Sequence, residues 1–281
     1  MIISELINHG SQILKDKKIS SYLLDAELIL SNVLNKTREN VLTSCNSPVS
    51  IENINNFNTL IKRRIKNEPV AYIFKNKEFW SKNFVVNSNT LIPRPETELL
   101  VEKVVKYFQN KKNFFILDIG TGSGCIILTL IDEMQKSTGI GIDISNKAIK
   151  VAKKNAINFK LEKKIKFLNR SLDQVFGQKF DLIVSNPPYV CSHQLKNLSD
   201  DVKKYEPRIA LDGGKDGLDV IKKVIYKSRN ILKKKGMLAL EIGHGQYKKV
   251  SIILRLQGFK EKFLVKDYQN NIRCILTILE R

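Results

Sequence analysis

Apolar side chains in the first 70 residues return at steps of three and four. Ile2, Ile3, Leu6, Ile7, Ile13 and Leu14 form one series, Leu23, Leu24, Leu28, Ile29 and Leu34 a second, and Ile54, Phe57, Leu60, Ile61 and Ile65 a third. That spacing puts each series on one face of a helix. Pro48 and Ser50 interrupt the pattern, Ser50 with Asn53 marks a helix start, and Pro69 closes the run 54–67. Between about 70 and 92 the texture changes to AYIFKNKEFWSKNFVVNSNTLI, aromatic and β-branched residues among Asn and Ser, which predicts a β-hairpin connector.

From Pro93 onward, short apolar runs alternate with amphipathic stretches. The pattern predicts helix 96–108, strand 114–117, helix 125–134, strand 139–142, helix 146–158, and strands 165–168 and 180–184. Helix 217–232, strand 237–241, helix 247–256 and closing strands near 262–265 and 273–279 follow. A βαβ succession of this kind builds a parallel, doubly wound sheet. Three segments result: a helical domain over 1–70, a hairpin connector over 71–92 and an α/β domain over 93–281. The stretch from Asn186 to Lys215 shows no clear period, and a segment that long is expected to order over a substrate.

Composition changes this picture little. Of 281 residues, 42% are hydrophobic and 27% charged, as in an ordinary globular protein that buries its own core. Cys45, Cys125, Cys191 and Cys274 lie far apart with no Cys-x-x-Cys pair and no His at ligand spacing, so neither a disulfide framework nor a metal is expected. The N-terminal MIISELINHGSQILKDKK lacks the unbroken apolar core of a signal peptide, and no apolar run is long enough to span a bilayer. The expectation is a cytoplasmic protein without a membrane partner.

The 48 basic against 28 acidic residues give a formal charge of +20, which raises the question of a polyanionic partner. Lys and Ile are abundant too, and Asn reaches 25 copies, so compositional drift explains the excess equally well. Residues 1–90 carry 12 basic and 8 acidic side chains, which leaves most of the excess on the α/β domain.

Two motifs carry candidate chemistry. In FFILDIGTGSGC, the loop Gly120-Thr121-Gly122-Ser123-Gly124 follows the first strand of the α/β domain and opens a helix, where glycines allow a sharp turn and close approach to a ligand. The spacing is G-x-G-x-G, not the dinucleotide G-x-G-x-x-G. Asp143 ends the next strand, about 20 residues on, where an acid reaches ribose hydroxyls, although it could also cap the following helix with Ser145. Either NAD or S-adenosylmethionine suits this half of the site.

Strand FDLIVS then runs into Asn186-Pro187-Pro188-Tyr189 at the carboxyl edge of the sheet. Two prolines remove two N–H donors and leave carbonyl acceptors. Asn186 adds an amide oxygen, and Tyr189 a ring able to pack beside a planar group. Accepting both N–H bonds of a planar –NH2, at Asn186 Oδ1 and the Pro187 carbonyl, would aim that weak nucleophile at a methyl donor. Here the sequence resembles amino-group methyltransferases that use S-adenosylmethionine and an (N/D/S)-PP-(Y/F) motif.

LIPRPETELLVEK (91–103), YEPRIALDGGKDGLD (205–219) and EPVAYIFKNKEFW (68–80) narrow the resemblance. They are similar to segments of the HemK/PrmC family, which methylates the glutamine amide (N5) of the Gly-Gly-Gln motif in class I peptide chain release factors. The resemblance spans essentially the whole chain. It implies a seven-stranded class I, Rossmann-like methyltransferase domain, preceded by a small helical domain that helps to dock the release factor and by the hairpin connector. It further implies S-adenosylmethionine, converted to S-adenosylhomocysteine, on Gly120 to Gly124, Asp143 and Asn186, with the target glutamine on Asn186 to Tyr189 and Asn186 and Pro187 in the catalytic role. The family often places a large side chain and an acid on the adenine after the third strand. This chain has Arg170-Ser171-Leu172-Asp173 there, so Ser171 and Leu172 take that place.

Glu96 and Glu98 suit the first turn of a helix by charge alone, after the stiff Pro93-Arg94-Pro95. The alternative is a nucleic-acid amino-methyltransferase acting on adenine or cytosine. No separate base-reading module with interleaved aromatics and cations is visible, so direct nucleic-acid binding is not expected to be primary. A ribosome-associated setting stays open.

Overall fold

The computed structural model describes residues 1–109 and 113–280. In chain order the helices are α1 (Ile3–Asp16), α2 (Tyr22–Leu34), α3 (Arg38–Thr43), α4 (Ile51–Arg64), α5 (Val70–Phe74), α6 (Pro95–Phe108), α7 (Cys125–Glu133), α8 (Asn146–Asn158), α9 (Asp200–Tyr205), α10 (Asp219–Ile231) and α11 (Tyr247–Leu256). The strands are β1 (Asn76–Phe79), β2 (Lys82–Val85), β3 (Phe115–Ile119), β4 (Thr138–Asp143), β5 (Ile165–Asn169), β6 (Phe180–Ser185), β7 (Leu232–Glu241), β8 (Phe259–Lys266) and β9 (Ile272–Leu279). Contacts divide the chain into two compact units, Met1–Lys75 with Ser199–Tyr205, and Asn76–Leu198 with Glu206–Arg281.

The first unit is helical, as its three- and four-residue periodicity predicts. Ile3, Leu6, Leu14, Ile29, Leu30, Phe57 and Ile61 meet in one core. Gly10 permits the close approach of α1 to α4, since a Cβ there would fall 2.4 Å from the Phe57 ring. Ser50 caps α4 by accepting the Asn53 N–H. Arg64 and Asp25 form a buried ion pair at 2.7 Å. Helix α9 joins this unit: the Tyr205 hydroxyl donates to the Lys66 carbonyl at 2.9 Å.

The second unit is built on a seven-stranded sheet ordered β5-β4-β3-β6-β7-β9-β8, parallel except for β9, which is antiparallel to both neighbours. Alternate residues of β3, β6, β7 and β9 feed two cores, as a sheet covered on both faces requires. Ile116 packs with Leu100, Val104, Ile127 and Ile149 of α6, α7 and α8, whereas Leu117 packs with Ile221, Val224, Val250 and Leu254 of α10 and α11. Strand order reverses between β3 and β6, and that reversal opens a crevice at their carboxyl ends.

Three stretches differ from the sequence expectation. The hairpin occupies only 76–85 of its predicted span, because Pro69 at the N-cap starts the short α5 and Lys75 ends it in the left-handed region. Trp80 and Ser81, both at positive φ, make the tight turn, and Phe79 and Phe84 are buried in the second unit's core. Strand β7 begins at Leu232 rather than Met237, with an irregular register against β6 between Phe180 and Leu182. The stretch 186–215 carries α9 and two 3-10 segments, Ser192–Asn197 and Arg208–Ala210. Within α9, Lys203 and Lys204 both pair with Asp200 across one turn.

Candidate active site

A cleft of 860 Å³ lies at the carboxyl ends of β3, β4 and β6. Its lining includes Gly120, Thr121, Gly122, Ser123, Asp143, Ser171, Leu172, Asn186 and Pro188. The remaining residues singled out from the sequence, Gly124, Pro187 and Tyr189, are not among its lining residues. Gly124 lies against Leu128 and Ala152, where a Cβ would come within 2.9 Å of Leu128 Cδ1. Pro187 is buried, and the Tyr189 ring packs against the second of the two cores, with the Arg273 guanidinium 5.5 Å from its centre.

The glycine loop is shaped by backbone conformation. Gly120 and Gly122 have φ of +72° and +56°, a region costly for residues with a Cβ, and nothing lies within 4 Å of a Cβ placed on Gly120. The Gly120 and Thr121 N–H groups both donate to the Ile142 carbonyl. Asp143 Oδ2 accepts the Gly122 N–H at 3.0 Å and Oδ1 the Ser145 N–H at 2.8 Å. Burial raises the pKa of Asp143 and those two N–H groups oppose the rise. The neighbouring Ile144 offers a 57% exposed apolar side chain to the same cleft. An acid beside apolar surface, next to a loop open to close approach, fits the ribose and base of a nucleoside cofactor.

Asn186 follows β6 directly, one strand over from the glycine loop. Its Nδ2 donates to Thr97 Oγ1 at 3.2 Å, and the Thr97 hydroxyl donates to Glu241 Oε2 at 2.6 Å. Tyr189 donates to Glu241 Oε1 at 3.3 Å and accepts from Arg273 Nη2 at 3.1 Å. Glu241 ends β7, and the pairing of Ser185 with Leu240 brings it level with Asn186. Glu241 is fully buried. Burial raises its pKa, while the Thr97 hydroxyl, the Arg273 charge and the Tyr189 hydroxyl pull the other way. The Tyr189 phenol is pushed up to about 12, by burial first and then by Glu241, so it stays protonated and can donate.

The segment 211–217 secures this corner from outside. The Val190 N–H donates to the Leu211 carbonyl and the Gly213 N–H returns the bond to Val190. A Cβ on Gly213 would fall 2.7 Å from the Pro188 carbonyl oxygen, and one on Gly217 2.4 Å from that of Tyr189. Gln246 donates to the carbonyls of Tyr189 and Gly217 and accepts the Gly243 N–H. At the mouth, Arg94 and Glu206 pair at 2.5 Å.

The family model described as the PrmC N-terminal domain matches residues 5–74, and that described as the methyltransferase small domain matches 94–203. The release factor glutamine methyltransferase of Caulobacter vibrioides is 38% identical across 94% of this chain and 92% of its own length. The chain belongs to the release factor glutamine methyltransferase family. That of Buchnera aphidicola subsp. Baizongia pistaciae is 39% identical, covering 97% of this chain and 98% of that protein. Among solved structures, a methyltransferase from Pyrococcus furiosus superposes with a TM-score of 0.55 at 14% identity, over 78% of this chain and 99% of that one, a likeness of fold alone.

For a release factor glutamine methyltransferase, the site holds more than its two motifs. Thr97, Ile144, Glu241, Gln246 and Arg273 escape the sequence reading. Ile144 carried a usable signal, an apolar residue beside the strand-end acid. Thr97 sits between the two acids that the sequence did single out. Of these, Glu98 holds the hairpin by accepting the Trp80 N–H at 2.9 Å. Cys125, although beside the glycine loop, has its thiol pushed up to about 12 by burial, which leaves it no nucleophilic role. Among the described residues no group of His, Cys, Asp or Glu is arranged to hold a metal, and no helix is long and apolar enough to cross a membrane.

Proposed function

We propose that this chain transfers a methyl group from S-adenosylmethionine to the side-chain amide nitrogen (N5) of the glutamine in the Gly-Gly-Gln motif of class I peptide chain release factors, in support of translation termination. The observation that carries this reading is the position of Asn186-Pro187-Pro188-Tyr189. The motif directly follows β6, beside the glycine loop and Asp143, in a chain 38% identical to a release factor glutamine methyltransferase over nearly its full length. A nucleic-acid substrate has no comparable support.

S-adenosylmethionine supplies a methyl group on a positively charged sulfur. Asp143, with Ile144, Ser171 and Leu172, would hold its nucleoside, and the loop Gly120 to Gly124 would admit the remainder. Asn186 Oδ1 accepts an N–H of the target amide, and the Pro187 carbonyl is assigned the second. Two acceptors hold the –NH2 in one plane and favour the positive charge that develops on nitrogen. No strong base is needed before attack, in keeping with a site where the nearest buried acid, Glu241, already accepts from Thr97 and Tyr189.

The reading includes a cytoplasmic setting, in which the factor is met free or on the ribosome, and S-adenosylhomocysteine as the second product. It is tested by incubating the purified chain with S-adenosylmethionine and a class I release factor and mapping the product by mass spectrometry. A single methyl on the Gly-Gly-Gln glutamine is expected. A factor recovered without it refutes the assignment.

A further inference from the structure

Asparagine can present either its oxygen or its nitrogen to a cleft, and the shape of the side chain does not choose between them. The choice rests on hydrogen-bond partners. With Glu241 ionised, as the Arg273 charge and the Thr97 and Tyr189 hydroxyls favour, the chain of donors and acceptors in this site leaves one answer.

We infer that Thr97 and Glu241 are positioning residues that lock the Asn186 carboxamide with its oxygen toward the cleft, and so select an acceptor group that carries N–H bonds. The inference rests on the methyltransferase reading for its consequence and on geometry alone for the orientation.

A threonine hydroxyl has one proton. The 2.6 Å contact to Glu241 Oε2 commits that proton to the carboxylate, which offers only acceptors when ionised. The Thr97 oxygen is left with lone pairs, and it lies 3.2 Å from the Asn186 nitrogen. The reverse orientation would set the Asn186 oxygen against an oxygen with no proton to give. Thr97 is 2% exposed and Glu241 fully buried, so water cannot easily step in to relieve such a clash.

Glu241 serves both ends of the motif. Its other oxygen accepts the Tyr189 hydroxyl, which in turn accepts from Arg273. One carboxylate thus fixes which way Asn186 faces and anchors the residue three positions later. Its place at the end of β7 and that of Thr97 in the first turn of α6 put this control on regular structure rather than on the loop itself. Selectivity follows from the orientation. An oxygen turned to the cleft receives an amide –NH2 and repels a carboxylate or a carbonyl oxygen.

The test compares Thr97→Val, which keeps the shape and removes the hydroxyl, with Thr97→Ser, which keeps the hydroxyl, and with Thr97→Ala in case valine impairs folding. In the release-factor assay the Val and Ala variants are expected to lose about 10- to 100-fold in kcat, with the Kd for S-adenosylmethionine near that of the parent and a lower thermal midpoint, because buried Glu241 Oε2 loses its donor. The Ser variant is expected to recover most of the rate.

A second readout needs no substrate. In protein labelled with 15N-asparagine, the Asn186 side-chain pair is identified by its absence from Asn186→Ala. One of its N–H signals should be protected from solvent exchange in the parent and in Thr97→Ser, and unprotected in Thr97→Val. Equal rates in the parent and the Val variant, or equal loss in Val and Ser, would overturn the inference. So would an Asn186 signal indifferent to Thr97. If the parent methylates no release factor, the substrate reading fails by itself while the exchange experiment still decides the orientation.

Discussion

Arg94 Nη2 lies 2.5 Å from Glu206 Oε1, and Glu206 Oε2 accepts the Ile92 N–H at 3.2 Å. This pair fastens two segments 112 residues apart in sequence, the approach to α6 and the stretch from Pro207 to Ala210, both of which line the cleft. The Glu206 side chain is 1% exposed and that of Arg94 32%.

Removing the guanidinium from so buried a carboxylate is expected to cost about 1–3 kcal/mol, less than for a fully buried pair because water reaches Arg94. Arg94→Met should therefore lower the urea midpoint clearly, and Arg94→Met with Glu206→Gln should recover part of the loss. Double-mutant stabilities that simply add would show that the pair does not couple.

Asn186 and Asp143 belong to opposite halves of the site and should fail differently. Asn186→Ala is expected to abolish detectable methylation while weakening calorimetric binding of S-adenosylmethionine far less than a change at Asp143, since Asn186 only borders the cofactor. Asp143→Asn should weaken that binding about 10- to 100-fold, the scale of a hydrogen bond to a charged group. Equal weakening of cofactor binding by both changes would contradict the division.

Gly213 and Gly217 owe their identity to the motif they wrap. Gly213→Ala would press a methyl group against the Pro188 carbonyl and should cost about 1–3 kcal/mol as overpacking does, with a fall in kcat as the Asn186 corner shifts. Gly217→Ala should be worse, because its φ of +72° adds strain to the clash with the Tyr189 carbonyl. Melting curves and turnover on the two variants check both statements, and an Ala at Gly217 as stable as the parent would refute the second.

Asp118 gives the free protein a pH dependence. It is fully buried on β3, where burial pushes its carboxyl up to about 7 against the hydrogen bond from Thr121 Oγ1. The unfolded chain gives up this proton near 3.8 and the folded chain near 7, so over that window the folded state binds more protons. Stability then falls as pH rises through the window and levels off above it. Asp143 and Glu241, also raised by burial, act in the same direction. Asp118→Asn removes its share, and its stability relative to the parent should grow between pH 5 and pH 8. Urea midpoints at the two pH values that move in parallel for both proteins would exclude the assignment.

The course of β3 to β6 and the helices between them was legible because local signals agreed. Apolar runs bounded by glycine or by a helix cap leave few alternatives, and α8 and α11 begin and end where their periodicity does. Asn186 stood out because two prolines at a strand end have few structural uses. The hairpin was legible as a kind of element but not in its limits, since Pro69 turns the first residues of that stretch into α5. The stretch after Val190 was not legible. Its α9 joins the helical unit through contacts such as Tyr205 to Lys66, which no local pattern reveals.

By itself the sequence determined the order of strands and helices from β3 to β6, the loop at Gly120 to Gly124, the acid at Asp143 and the acceptor motif at Asn186 to Tyr189. Each of these is a short-range property of the backbone and is written within a few adjacent residues. Only the tertiary structure decided that Thr97, Glu241 and Arg273 meet that motif. They come from the first turn of α6, the end of β7 and β9, and a hydrogen-bond chain among distant residues leaves no spacing to read. Its direction depends on where one proton goes, and that follows from burying a single carboxylate where it must accept.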